Sequence, residues 1–223
     1  MNDSLKSAID VVYTAFAHVP KPQRIEGCPC CIDDKEVDVL LSKGLREITP
    51  SELSAYASSV FLTVGCEHDY RYLLPRILEI SALEPWWWPD IEVIGRSLSS
   101  AKWSTWAFAE KEAVGHYFDA RFTTLLNTAD GSDLDSLLCG IALSGRNLSP
   151  YLQRITTVES AALAIYEQNA NEIVERRLAN GFWDDSTEGA LQMIDWFYTT
   201  EVSLLILKSY GVDLNIPRPK EVS

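Results

Sequence analysis

Histidine and methionine are scarce in this chain, with three histidines (His18, His68 and His116) and two methionines among 223 residues. So few imidazoles leave little for general-base work or for a multi-histidine metal centre. His116 follows Glu112 by four residues, and two such groups do not define a metal site. The phosphate loop G-x-x-x-x-G-K-[ST], the dinucleotide fingerprint G-x-G-x-x-G, the nucleophile elbow G-x-S-x-G and the zinc helix H-E-x-x-H are all missing. No nucleophile, base and orienter assemble from what remains, so the chain reads as a non-enzyme. No window approaches the ~18 consecutive apolar residues of a membrane-spanning helix. The first twenty residues carry Asp3 and Asp10 and lack a basic segment leading into an apolar stretch, unlike a signal peptide. Five cysteines form an odd count without secretory context, which fits reduced thiols in a bacterial-type cytoplasm.

Positive charge is also in short supply. Nineteen basic side chains face 32 acidic ones, for a formal charge of −13. Such a surface repels phosphate backbones and anionic lipid headgroups, which argues against nucleic acid and membrane as partners. A basic protein is the better electrostatic match. Nothing in the pattern specifies an oligomeric state. With 47% hydrophobic and 23% charged residues the composition is that of a globular protein, long enough to bury a sizeable core.

What is present is helical periodicity. Ile9, Val12, Tyr13 and Phe16 mark a first helix over 4–18, after which Pro20 and Pro22 open a loop running through a cysteine cluster to Asp33 or Asp34. A short helix over 34–43 stops at Gly44. Thr49-Pro50-Ser51-Glu52 is a capping-box start for a helix expected to run to about Val64 and end at Gly65. Residues 69–82 follow, interrupted by Pro75, then short and long helices at 90–98 and 104–127. Further helices are expected over 133–144, from Ser149-Pro150 onward to a stop at Gly181, and over 187–210 behind a capping box of Asp185 and Glu188. No stretch alternates as strands do. The fold class is therefore all-α, an irregular antiparallel helical array or HEAT-like stack, read as one domain over 1–211 with a loose tail at 212–223.

Three constellations carry chemistry. Cys28-Pro29-Cys30-Cys31 places three thiols within four positions. Cys28 and Cys31 have C-x-x-C spacing and, with Cys66 and His68, complete a Cys3His zinc set if the two loops converge; Cys30 is then left over. The same residues resemble the dithiol of thioredoxin-like proteins, which instead follows a strand, so a thiol-redox role has the wrong context. The bland alternative is packed, reduced thiols. Second, Trp86-Trp87-Trp88 cannot all face one core, so at least one indole is expected at a surface or partner contact. Third, Asp69, Arg71, Arg76 and Glu79 form a charged face beside Pro75, either a polar recognition site or ordinary ion pairing on a solvated face. Glu201 falls on the apolar stripe of the last helix and is expected to be buried with a partner.

The stretch from Thr63 to Glu79, TVGCEHDYRYLLPRILE, resembles a segment of small bacterial helical proteins of unassigned function, which also carry a cysteine-containing stretch after the first helix. Some of those resemble immunity-type proteins encoded near secreted toxins. The resemblance covers about a third of the chain and brings no catalytic residues. It implies a cytosolic bacterial protein that binds another protein, with toxin neutralisation as the sharpest form. The alternative is a zinc-binding or thiol-redox protein using Cys28, Cys31, Cys66 and His68.

Overall fold

The first helix shows how the pattern becomes packing. Leu5, Ala8, Ile9, Val12 and Phe16 recur every three to four residues, share one face of α1 (Asp3–Phe16) and are buried along it. The computed structural model describes residues 3–84, 86–128 and 130–216. These contain eleven α-helices and short 3-10 turns, and among them no β-strand, only two isolated bridges. The all-α class is thus correct. The chain gathers into two compact units, residues up to Arg121 and residues from Phe122 onward.

In the first unit α1 packs on α4 (Glu67–Leu83), whose Tyr70, Leu73, Leu74, Ile77 and Leu78 are buried. Between them in the chain lie α2 (Asp34–Ser42) and α3 (Pro50–Ser59), followed after α4 by α5 (Ile91–Ser100) and α6 (Phe108–Thr128), the last of which runs past Arg121. Both helices start from a carboxylate that takes up a free backbone amide, at α3 where the sequence places a capping box, although the Thr49 side chain itself makes no cap bond. Asp33 and Glu36 exchange hydrogen bonds at the start of α2, each 2.8 Å long, and Glu52 accepts the Thr49 amide at 2.9 Å at the start of α3. Pro75 is buried inside α4, which continues through it as one helix rather than two pieces. Burial of apolar side chains on both sides offsets the ladder bond that proline cannot donate.

Helix α3 departs from expectation by ending at Ser59, not near Val64. Val60, Phe61, Thr63 and Val64 are β-branched or aromatic and hold a helix weakly. Here Val64 pairs in an isolated antiparallel bridge with Gly27, the Gly65 amide donates to the Glu26 carbonyl at 2.7 Å, and Phe61 takes φ 63°. A long-range pairing therefore outcompetes the last helical turn.

The second unit is built around α7 (Gly131–Leu143), buried on nearly every side and packed on α9 (Glu159–Asn169) and α10 (Thr187–Phe197). Helices α8 (Ser149–Thr156) and α11 (Thr200–Tyr210) complete it. Gly131 is required where it stands, because an added methyl would overlap the Ala164 carbonyl in the backbone of α9. Buried Asp135 accepts from Asn169 at 3.1 Å and from the Trp183 indole at 3.2 Å. Burial nonetheless pushes its pKa up, and these hydrogen bonds oppose the shift.

Four expectations fail in this unit. The helix of 187–210 is two helices, broken where Thr199 becomes extended and Tyr198 donates its hydroxyl to the Ile173 carbonyl at 2.9 Å. Glu201 is exposed in the first turn of α11, where a carboxylate suits the positive helix end, and is not buried on its stripe. Asp185 belongs to a 3-10 turn, Gly181–Asp185, and does not cap α10, which starts from Ser186 without a side-chain cap bond. Helix α9 likewise ends at Asn169, well before Gly181, because the Asn169 side chain turns to Asp135 and to the Ala179 amide. Of the tail at 212–223, Leu214 is buried, and residues 217–223 lie outside the described residues.

Candidate functional site

The cysteine loop is a clipped turn. Upstream, Ile25 is buried and Gly27 lies so close to Ile32 and Val64 that a Cβ there would meet their methyls at 2.8 and 3.0 Å. The Cys28 amide donates to the Thr63 carbonyl at 2.9 Å, and the Cys28 carbonyl accepts from Cys31 at 2.8 Å and Ile32 at 3.2 Å. Downstream, Ile32 is buried and Asp33 caps α2. The backbone from Gly27 to Asp33 is therefore held at both ends, and Cys28-Pro29-Cys30-Cys31 forms the turn between.

The turn gathers its sulfurs. Cys28 Sγ lies 2.8 Å from Cys30 Sγ, and Cys30 Sγ lies 3.7 Å from Cys31 Sγ. All three fall within 4.8 Å of one another, the one such metal-capable cluster among the described residues. Cys28 and Cys31 are half-buried and Cys30 is exposed; all are free thiols. The hydrogen bond with Cys30 stabilises the Cys28 thiolate and lowers its pKa, while the same contact raises Cys30 to about 11.

Cys66 and His68 stand outside this cluster. Cys66 is the N-cap of α4, and its thiol donates to Asp69 Oδ1 at 2.6 Å; His68 is exposed in the first turn. The thiols that converge are Cys28, Cys30 and Cys31. Cys30, left over in the C-x-x-C reading, sits between the other two. A tight turn brings i, i+2 and i+3 together, which a spacing rule drawn from two-residue gaps does not weigh.

The four charged residues beside Pro75 separate into three local structures. Asp69 is buried; it accepts from the Cys66 amide at 3.0 Å and the Tyr56 hydroxyl at 3.2 Å, which closes the start of α4. Arg71 pairs with buried Glu110 and lies 5.5 Å from the Trp106 ring centre. Arg76 donates to the Ile48 carbonyl at 2.8 Å and to Glu79 at 2.6 Å. Glu79 also accepts from Tyr13 at 2.6 Å and Arg46 at 3.3 Å. Burial and this carboxylate push the Tyr13 phenol well above its ordinary range. Each group has a partner within the protein, and the partners Tyr13, Arg46 and Glu110 are too distant in sequence to have been paired by spacing.

The indoles of the connector between α4 and α5 have different environments. Trp87 is half-buried, and its indole N–H donates to the Pro50 carbonyl at 2.8 Å. The Trp88 carbonyl accepts from Ser54, its ring is 50% exposed, and Pro89 behind it is buried. Trp86 is 100% exposed and adopts φ 65°, the left-handed region that costs an L side chain ~1 kcal/mol. Glu84 and Asp90, both exposed, flank the three. Helix α3 thus fastens the connector at Pro50 and Ser54 and leaves Trp86 projecting.

A cavity of about 530 Å³ in the second unit, which no sequence motif marks, is lined by Leu152, Thr156, Gln192, Asp195, Trp196 and Glu201. It opens where the chain breaks between α10 and α11. Part of its polar lining is engaged within the protein: Gln192 accepts the Leu148 amide at 2.9 Å, Trp196 donates to Thr156 at 2.9 Å, and Asp195 pairs with Arg176 at 3.1 Å. No protein-family model matches this chain, and neither a curated protein nor a solved structure matches it.

Proposed function

We propose that this chain is a non-enzymatic binding protein that docks a basic protein partner through the Trp86–Trp88 connector. The observation that carries this is the fully exposed Trp86 indole, presented on a connector whose neighbours Trp87 and Trp88 are fastened to α3. A large aromatic held in water and in a left-handed conformation is costly to keep, and such strain collects at functional positions. Tryptophan is also where interface energy concentrates. The flanking Glu84 and Asp90, together with the −13 formal charge, select a partner of opposite sign. Toxin neutralisation, implied by the resemblance of Thr63–Glu79 to immunity-type proteins, is the sharpest form of this reading.

The test is affinity capture from the native host with the wild-type chain and with Trp86→Ala in parallel, followed by reconstitution of the pair from purified proteins. A basic partner bound by the wild type and weakened ~30-fold or more by Trp86→Ala, with an unchanged unfolding midpoint, is the expected result. Binding should also fall as salt is raised. No reconstituted partner, or a partner held equally by Trp86→Ala, overturns the reading.

A further inference from the structure

The cysteine turn is independent of the Trp connector and carries its own inference. We propose that Cys28, Cys30 and Cys31 form a three-thiolate site for a soft metal ion, Cu(I) being the ion whose coordination number they satisfy. The geometry is close to what such a site needs. A metal about 2.3 Å from three sulfurs in a plane sets them ~4 Å apart. Cys30 and Cys31 already lie 3.7 Å apart, and all three sulfurs fall within 4.8 Å of one another. Only the 2.8 Å contact of Cys28 with Cys30 has to open, by about 1 Å, and Cys30 is exposed and free to swing.

Preorganisation favours a ligand over three idle thiols. The bridge of Gly27 with Val64, the amide bonds of Cys28 and Gly65 across to Thr63 and Glu26, and the Asp33 cap fix the turn before any ion arrives. Less ordering is then required on binding. The choice of ion follows from donor type and number. Thiolates select Cu(I) and zinc. Structural zinc wants four protein donors, and among the described residues the cluster has three. The third and fourth groups of the sequence pattern are not in it: the Cys66 thiol is engaged by Asp69, and His68 lies in the first turn of α4. Three sulfurs with no nitrogen complete a trigonal Cu(I) centre. On binding, each thiol gives its proton to solvent and a metal–sulfur bond replaces the S–H bond. The ion enters and stays as Cu(I), so no electron moves.

The experiment uses the full-length, reduced protein under anaerobic conditions, with Cu(I) delivered from a bicinchoninate buffer. Uptake of one equivalent is expected, with Cys28, Cys30 and Cys31 protected from maleimide and Cys66 still reactive. X-ray absorption should show a shell of three sulfurs. Cys30→Ser, at an exposed position that leaves the fold intact by circular dichroism, should weaken Cu(I) binding ~100-fold or more, beyond the ~10–100-fold typical of outer-shell partners. Cys66→Ser and His68→Ala should bind as the wild type does. Absence of uptake, full affinity in Cys30→Ser, or loss in Cys66→Ser or His68→Ala overturns the proposal, and the last of these restores a tetrahedral Cys3His zinc set instead.

Discussion

Replacing Asp69 by alanine separates a structural carboxylate from a recognition residue. Asp69 is 2% exposed and accepts from the Cys66 amide at 3.0 Å, the Cys66 thiol at 2.6 Å and the Tyr56 hydroxyl at 3.2 Å. Alanine leaves the hydroxyl of Tyr56, itself fully buried, without this acceptor, which costs about 1–3 kcal/mol. The Cys66 amide also loses its cap, although Cys66 lies at the surface and water replaces part of the bond, so this adds ~1 kcal/mol. Release of a buried charge returns some of the loss, and the net expectation is a destabilisation of about 2–4 kcal/mol. Asp69→Asn keeps an acceptor and should cost about 1 kcal/mol. Urea unfolding followed by tryptophan fluorescence reads the first unit preferentially, because Trp86, Trp87, Trp88, Trp103 and Trp106 lie there and only Trp183 and Trp196 lie in the second. With a slope of ~2 kcal/mol per molar, the midpoint should fall by about 1–2 M. Tyr56→Phe combined with Asp69→Ala should cost less than the sum of the single changes, by ~1 kcal/mol. If Asp69→Ala shifts stability by under ~0.5 kcal/mol, or if the two changes add, the capping account is wrong.

Gly131→Ala should destabilise by ~3 kcal/mol, since the methyl overlaps the Ala164 carbonyl and α7 must move off α9; a thermal melt should drop by about 6–12 °C, and a rise would refute the close approach. The Lys43 ammonium and the Thr49 amide hold the Glu52 pKa down to about 2. Its folded-state value lies below the unfolded ~4.3, so its contribution is present above that pH and is lost as pH falls toward 2. Glu52→Gln should therefore flatten stability against pH between about 4.5 and 2, and equal slopes in urea titrations across that window would sink the assignment. Trp87→Ala should cost ~2 kcal/mol through lost packing and the bond to Pro50, whereas Trp86→Ala should stay within ~0.5 kcal/mol; equal effects would contradict their different environments.

The sequence by itself determined what rests on near neighbours. The all-α class follows from three-to-four periodicity. The start of α3 follows from Thr49 with Glu52, because a cap is made between residues three apart, and the start of α2 falls at the loop end expected at Asp33 or Asp34. The division of the three indoles was legible too, since adjacent side chains cannot share one face, although which one projects was not. Tertiary structure decided the rest. Helix α3 ends early because Val64 meets Gly27, and the last helix breaks at Tyr198 because its hydroxyl finds Ile173. Glu79 draws in Tyr13 from 66 positions away, and Arg71 draws in Glu110 from 39. The thiol cluster is Cys28, Cys30 and Cys31, without Cys66 or His68, because a clipped turn rather than a count of residues sets where sulfurs meet. Local hydrogen bonds can be read along a chain, but which distant side chain supplies the second half of a pair is fixed only when the helices pack.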